Sequence, residues 1–373
     1  GKLADSKIVL HSASGEMFYP ITWATHRVLI AQSPVLEAIL NRQEVLEQKL
    51  TIELVAGKKY SLPRAFECAF QAYYGLPMVD HQDIKALTRR ALGWEGAPEG
   101  QGSDEALGAQ LDFMICYMTA GAFMNCDELV AAGFRMIERE ISLINLETAI
   151  HFGTHPEDYI ITHEPADERK TTKKGAKGKA RKKSNVELPV VPENMNEEVI
   201  ERQAPAIASL AIESAAGCIG PDFVFDRTAW VKVMQDRIPH YLRTGMLASN
   251  PSLAGVHFGV HPQPSRESSI LSAVLLAIPF RYLQEVFQYL RSDGLLTLKL
   301  VKEVLQEREI RRLDALQEYH RRHPKKKDLP ATHATLGYRE FAVHFQIRDM
   351  LDEVFHDVTV HREWAGYEDV GQG

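Results

Sequence analysis

Thr25 to Leu40 reads THRVLIAQSPVLEAIL, and the order of the segments around it decides the fold. Val28, Leu29, Val35, Leu36, Ile39 and Leu40 recur at helical spacing, interrupted only by Ser33-Pro34. A proline there removes a backbone donor and crowds the turn before it, so two short helices set end to end are predicted. Upstream, Lys7 to Leu10 and Phe18 to Trp23 read as strands with Ser14-Gly15 as their turn. Downstream, Leu50 to Val55 alternates as a third strand. Pro63 suits the first turn of the next helix, where Phe66, Ala69, Phe70 and Tyr73 share one face. Phe66 and Phe70 are expected in the core.

Beyond a glycine-rich loop over residues 93–104, apolar spacing predicts a long helical stretch from Ala106 to Phe152, with a turn near Asn125-Cys126-Asp127. Residues 164–198 are poor in large apolar side chains, too few to offset the entropy of ordering, and predict a disordered linker. Helical patterns then resume over Ile207–Ala216, Trp230–Tyr241, Ile270–Leu290 and Leu295–His320, with a last helix expected over Glu340–Phe355. The expected architecture is α+β. A first domain with a small sheet and flanking helices covers residues 1–153, a basic linker 154–200, and a mostly helical domain 201–373.

The chain of 373 residues is 45% hydrophobic and 25% charged, within the range of globular proteins. Its four cysteines, Cys68, Cys116, Cys126 and Cys218, lie far apart without paired spacing, so free thiols are expected and a secreted disulfide framework is not. No signal peptide is read at the start, and Gly1 in place of Met reads as a cut end. No apolar run reaches the roughly 18 residues of a membrane span. An intracellular place, nucleus or cytoplasm, is the expectation.

No catalytic constellation emerges. There is no G-x-S-x-G elbow, phosphate-binding loop or H-E-x-x-H helix, so the chain is expected to be no enzyme and to need no cofactor or metal. Two echoing segments, IHFGTHP at 150–156 and VHFGVHP at 256–262, place His151, His155, His257 and His261 in two H-x-x-x-H pairs. Four imidazoles are the right number for a tetrahedral zinc site, but Gly153, Pro156, Gly259 and Pro262 favour turns with surface or capping histidines. Leu295–His320 alternates Glu303, Glu307 and Glu309 with Arg308, Arg311 and Arg312 around an apolar stripe, the pattern of a helix docked on its own domain.

A basic run, Arg169, Lys170, Lys173, Lys174, Lys177, Lys179, Arg181, Lys182 and Lys183, crowds the linker. The formal charge is −7, and without these nine residues 34 basic side chains would face 50 acidic ones. The run carries no aromatic residue for stacking on bases, and an acidic body repels phosphate. It reads as a solvated spacer, with Lys173, Lys174, Lys177, Lys179, Arg181, Lys182 and Lys183 as a candidate nuclear signal.

On Phe18, the Leu29…Ser33-Pro34 spacing, Leu36, Thr51–Val55 and Phe66…Tyr73-Tyr74-Gly75, the first 150 residues resemble a BTB/POZ domain, and more closely its version in large families of fungal proteins. Segments Asn250-Pro251…His257-Phe258-Gly259, Leu271–Phe280, Glu307–Leu313 and Trp364-Ala365-Gly366-Tyr367 resemble the later half of those fungal proteins. Where the family usually has a histidine eight residues before the Ser-Pro serine, this chain has Thr25, with His26 one later. The resemblance implies dimerisation or partner docking, and in some members recruitment of a cullin-type ubiquitin ligase scaffold. Cullin-binding members often carry an apolar-x-Glu triplet after the Ser-Pro helix, and Val45-Leu46-Glu47 has that shape. The implied function is an adaptor or scaffold, with a cullin-type scaffold or a second copy of the chain as partner, and without membrane or nucleic acid. The alternative is a nuclear transcription or chromatin regulator whose basic linker touches nucleic acid.

Overall fold

Parallel strands need a crossover, and the Ser-Pro helices provide one. In the computed structural model, which describes residues 4–45, 50–94, 103–163, 190–243, 263–324, 329–348 and 354–367, β1 (Ser6–Ser12) pairs antiparallel with β2 (Ile21–Thr25) and parallel with β3 (Thr51–Ala56). Between β2 and β3 run α1 (Arg27–Ile30) and α2 (Pro34–Val45), broken at Ser33-Pro34 as the proline requires. A short β4 (Ile161–His163) adds antiparallel to Leu54–Ala56, giving a four-stranded sheet in the order β2-β1-β3-β4. In β3 the alternate residues Ile52, Leu54 and Ala56 are fully buried, which fixes its register against the core.

The helices α3 (Pro63–Gln71), α4 (His81–Ala91), α6 (Asp127–Glu140) and α7 (Leu146–Thr154) pack on α5 (Ser103–Phe123), which itself meets β4. Phe66 and Phe70 are buried on α3, as expected. The central helix is α5. From Phe113 to Phe123 every residue is buried, the signature of a helix enclosed on all sides. Gly121 and Gly133 allow α5 and α6 to approach closely, since a Cβ at either would come within 2.6 Å of Leu129 or Met118. The turn between them carries Asn125 at φ 57, in the left-handed region that asparagine tolerates.

The chain divides into two compact units, Gly1–Leu210 and Ala211–Gly373. The first extends past the boundary expected at 153. Residues 155–163 close the sheet, and α8 (Asn196–Glu198) continues through a π-helical stretch, Val199–Gln203, into α9 (Ala204–Gly217). Of the expected linker, residues 164–189 lie outside those described.

In the second unit, α10 (Arg266–Ala277), α11 (Phe280–Ser292) and α12 (Leu298–Arg322) form the helical body. One apolar run, Ile270–Leu290, becomes two helices because Ile278, preceding Pro279, is held at ψ 149. Two expectations are corrected here. The described residues of 340–355 form no helix: β5 (Tyr338–Arg348) and β6 (Val354–Trp364) pair antiparallel. The period of Phe341, Val343, Phe345 and Ile347 is two, and their types favour strands. Trp230–Tyr241 is likewise not a helix beyond the single turn His240–Leu242. Its neighbourhood is held from outside instead: Arg311 donates to the carbonyls of Arg227 and Ala229, and the Arg237 amide bonds to Ala277.

Candidate docking surface

The Ser-Pro break is fastened to the core by its serine. Ser33 Oγ donates to the Met124 carbonyl at 2.8 Å and accepts from the Leu36 amide at 3.3 Å, capping the start of α2. Thr25 is buried with its hydroxyl 2.9 Å from that of Ser6. His26 precedes α1, its amide donating to the Tyr74 hydroxyl at 2.9 Å and its ring set edge-on to Tyr74, while the Arg27 amide donates to Asp5 at 2.7 Å. Trp23, Phe66, Phe70 and Tyr74 continue this contact as an aromatic ladder with centroids 5.4–6.2 Å apart.

The end of α2 is tied to the start of β3 and to α1. Gln43 donates to the Thr51 carbonyl at 2.6 Å, and Arg27 bridges Asn41 at 2.9 Å and Glu44 at 2.6 Å. Of the predicted partner-binding residues, Val45 is the last of α2, and Leu46 and Glu47 lie outside the described residues. The candidate nuclear signal, Lys173 to Lys183, lies outside them too. Large apolar side chains left in solvent on this unit include Tyr19, 90% exposed, and Val28, 77% exposed, with Met17, Leu76 and Met78 less so. Exposed apolar side chains scattered singly are ordinary on a folded chain.

Beneath the surface, Asp112 of α5 accepts from Ser61 Oγ at 2.9 Å and from the Tyr159 hydroxyl at 3.3 Å. Burial raises its pKa to about 6, against the two hydrogen bonds and the charge of Lys59, which lower it. Burial likewise raises the neighbouring Cys116 thiol. A nucleophilic serine would need a base to take its proton, and a carboxylate that accepts two hydroxyls reads as a tie between α5 and its surroundings.

His151 corrects the expectation of a surface histidine. It lies in α7, which runs through Gly153, and is 2% exposed with Nε2 3.2 Å from Asp158. Burial, helped by the charge of Lys59, lowers its pKa to about 4 despite Asp158, so the ring is neutral at pH 7. His155 stands 3.2 Å from Glu157, and His257 and His261 lie outside the described residues. Among the described residues no group of three or more candidate ligands is placed to hold a metal ion. Cys68 and Cys116 are buried thiols, Cys126 is half-buried and Cys218 exposed.

The second unit holds a cluster that reading the sequence missed. Arg308, 1% exposed, grips Glu340 through two nitrogens at 2.6 and 2.9 Å. Its third nitrogen donates to the carbonyls of Leu275, Leu276 and Ile278, closing the end of α10. Arg237 donates to the Arg308 carbonyl and lies 3.5 Å from Glu340, burial lowering its pKa to about 10. Burial pushes the pKa of Glu340 up, but Arg308 and Arg237 outweigh it and hold the carboxyl at about 2. Arg311 lies 3.9 Å over the Trp230 ring, and Arg312 donates to the Leu336 carbonyl. Arg308 and Arg237 thereby tie α10 and α12 to β5 through Glu340.

No family model, no curated protein and no solved structure matches this chain. No described helix is long and apolar enough to cross a membrane.

Proposed function

We propose that this chain is a protein–protein interaction adaptor or scaffold, with no reaction of its own, whose first unit works as a BTB/POZ-like docking module. What supports the reading is the parallel pairing of β1 with β3 across a helix pair broken at Ser33-Pro34. The last turn of α2 is held by the Arg27 bonds to Asn41 and Glu44, and on this reading Val45, Leu46 and Glu47 would meet a cullin-type ligase scaffold. The rival reading, a nuclear regulator whose linker touches nucleic acid, draws on the basic run alone. Co-purification of cellular proteins with the full chain, set against Val45→Ala/Leu46→Ala/Glu47→Ala, tests the proposal. Loss of a cullin-type scaffold from the variant's partners supports it. Identical partners for both chains, with the variant folded as judged by its melting curve, overturn it.

A further inference from the structure

Residues 219–228 carry neither helix nor strand, yet side chains of α10 and α12 pin them in place. Ser269 donates to the Asp226 carboxylate at 2.7 Å, the Asp226 amide donates to Ser272 at 2.9 Å, and Arg311 holds the Arg227 carbonyl at 2.7 Å. A segment fixed this way can wall a cavity that a loose one would collapse into. Between it and the start of α12 lies a cavity of about 670 Å³, within the roughly 300–1,000 Å³ of small-molecule sites. Phe223, Val224 and Phe225 line it from one side and Leu295 from the other, and all four are only half-buried.

The charged residues of the cavity leave one cation over. Asp226 accepts from Ser269 and from both the amide and the hydroxyl of Thr228, and it lies in the field of Arg311. Arg227 faces Glu303 at 3.9 Å. Lys299 is exposed, takes part in no ion pair among the described residues, and has no acidic neighbour in the first turn of α12. An apolar wall of this kind gains free energy by covering hydrocarbon, and a single cation at its edge selects a single negative charge. The occupant this chemistry selects is therefore an apolar body ending in one carboxylate.

We infer that this cavity is a binding site for an amphipathic monocarboxylate, its hydrocarbon body against Phe223, Phe225 and Leu295 and its carboxylate at Lys299. Apolar contact supplies most of the affinity, and the Lys299 pair fixes which end of the ligand lies at the start of α12. The site belongs wholly to the second unit and is independent of the adaptor reading of the first.

Calorimetric titration of the full chain tests it, with decanoate below its micelle concentration as the probe and decanol as its uncharged counterpart. One decanoate per chain is expected, bound about tenfold or more tightly than decanol, since only the carboxylate can pair with Lys299. Lys299→Glu should remove that preference and leave decanol binding unchanged, whereas the same charge reversal at the exposed Lys7 of the first unit should alter neither. Phe225→Ala should weaken both ligands; should that variant lose its native circular dichroism, Leu295→Ala takes its place. Absence of saturable binding, several molecules bound per chain, equal affinity for decanol, or an unchanged preference in Lys299→Glu overturns the inference. So does unchanged binding by the cavity-wall variant.

Discussion

At the scale of single residues, the heaviest burden in the second unit falls on Arg308. Removing one partner of a buried ion pair strands the other, so Arg308→Ala should destabilise this unit by about 3–5 kcal/mol in urea unfolding. The double replacement Arg308→Met/Glu340→Met should recover much of that loss, because it leaves no uncompensated carboxylate. A double variant as unstable as the single one would show that the helix-end carbonyls, not Glu340, dominate. Asp112 acts in the opposite sense. Its pKa is raised from the ordinary carboxylate value to about 6, so its charged form is penalised in the folded unit. The resulting cost is absent below the unfolded value near 4 and fully present above pH 6. Lowering the pH from 8 to 5 should stabilise the wild-type chain relative to Asp112→Asn, by roughly 1–3 kcal/mol. Unfolding midpoints of the two proteins that shift in parallel with pH would contradict this. Glu340 has its pKa depressed to about 2, so its contribution is full above the unfolded value and is lost only as the pH falls through about 2. Residues of this kind were the least legible. The alternating charges of this helix did not reveal the burial of Arg308, because its partners Leu275, Leu276, Ile278 and Glu340 lie 30 or more residues away, and Arg237 and Glu340 are 103 residues apart.

Whole elements were easier to read where one local rule dominated. The proline-broken helix pair, the start of α3 at Pro63 and the turn at Asn125 follow from backbone chemistry that neighbouring residues express directly. Ser33 shows how such an element is tied in, since one hydroxyl caps α2 and holds the α5–α6 turn. Ser33→Ala should cost about 1–2 kcal/mol in thermal or urea unfolding. A cost within a few tenths of a kcal/mol would mean that Pro34 alone sets the break. The C-terminal hairpin was misread because its apolar residues were scored for helical spacing, although Phe341, Val343, Phe345 and Ile347 alternate. Trp230–Tyr241 departs from its helical pattern for a different reason: Arg311, from a helix some 80 residues away, holds the carbonyls of Arg227 and Ala229 just ahead of it. That signal does not exist in the local pattern.

On the scale of the whole molecule, the mixed α+β class was visible from the order of strand and helix patterns, and the end of the first unit was not. Segment 155–163 looked like the start of a linker because three strand residues, Ile161 to His163, are too few to register as periodic. The candidate triplet Val45-Leu46-Glu47 could be proposed from sequence, but the bonds of Arg27 to Asn41 and Glu44 and of Gln43 to Thr51 required the fold. If the basic run directs nuclear import, alanine at Lys173, Lys174, Lys177, Lys179, Arg181, Lys182 and Lys183 should shift a fluorescent fusion from nucleus to cytoplasm. An unchanged distribution would leave the run as a solvated spacer. The adaptor reading itself is tested most directly by calorimetric titration of the full chain with the purified N-terminal domain of a cullin-type scaffold. The account predicts saturable binding, with a dissociation constant of about 1 µM or tighter, that Leu46→Ala/Glu47→Lys abolishes while the melting curve stays unchanged. No heat of binding from the folded wild-type chain, or equal binding by the variant, would contradict it.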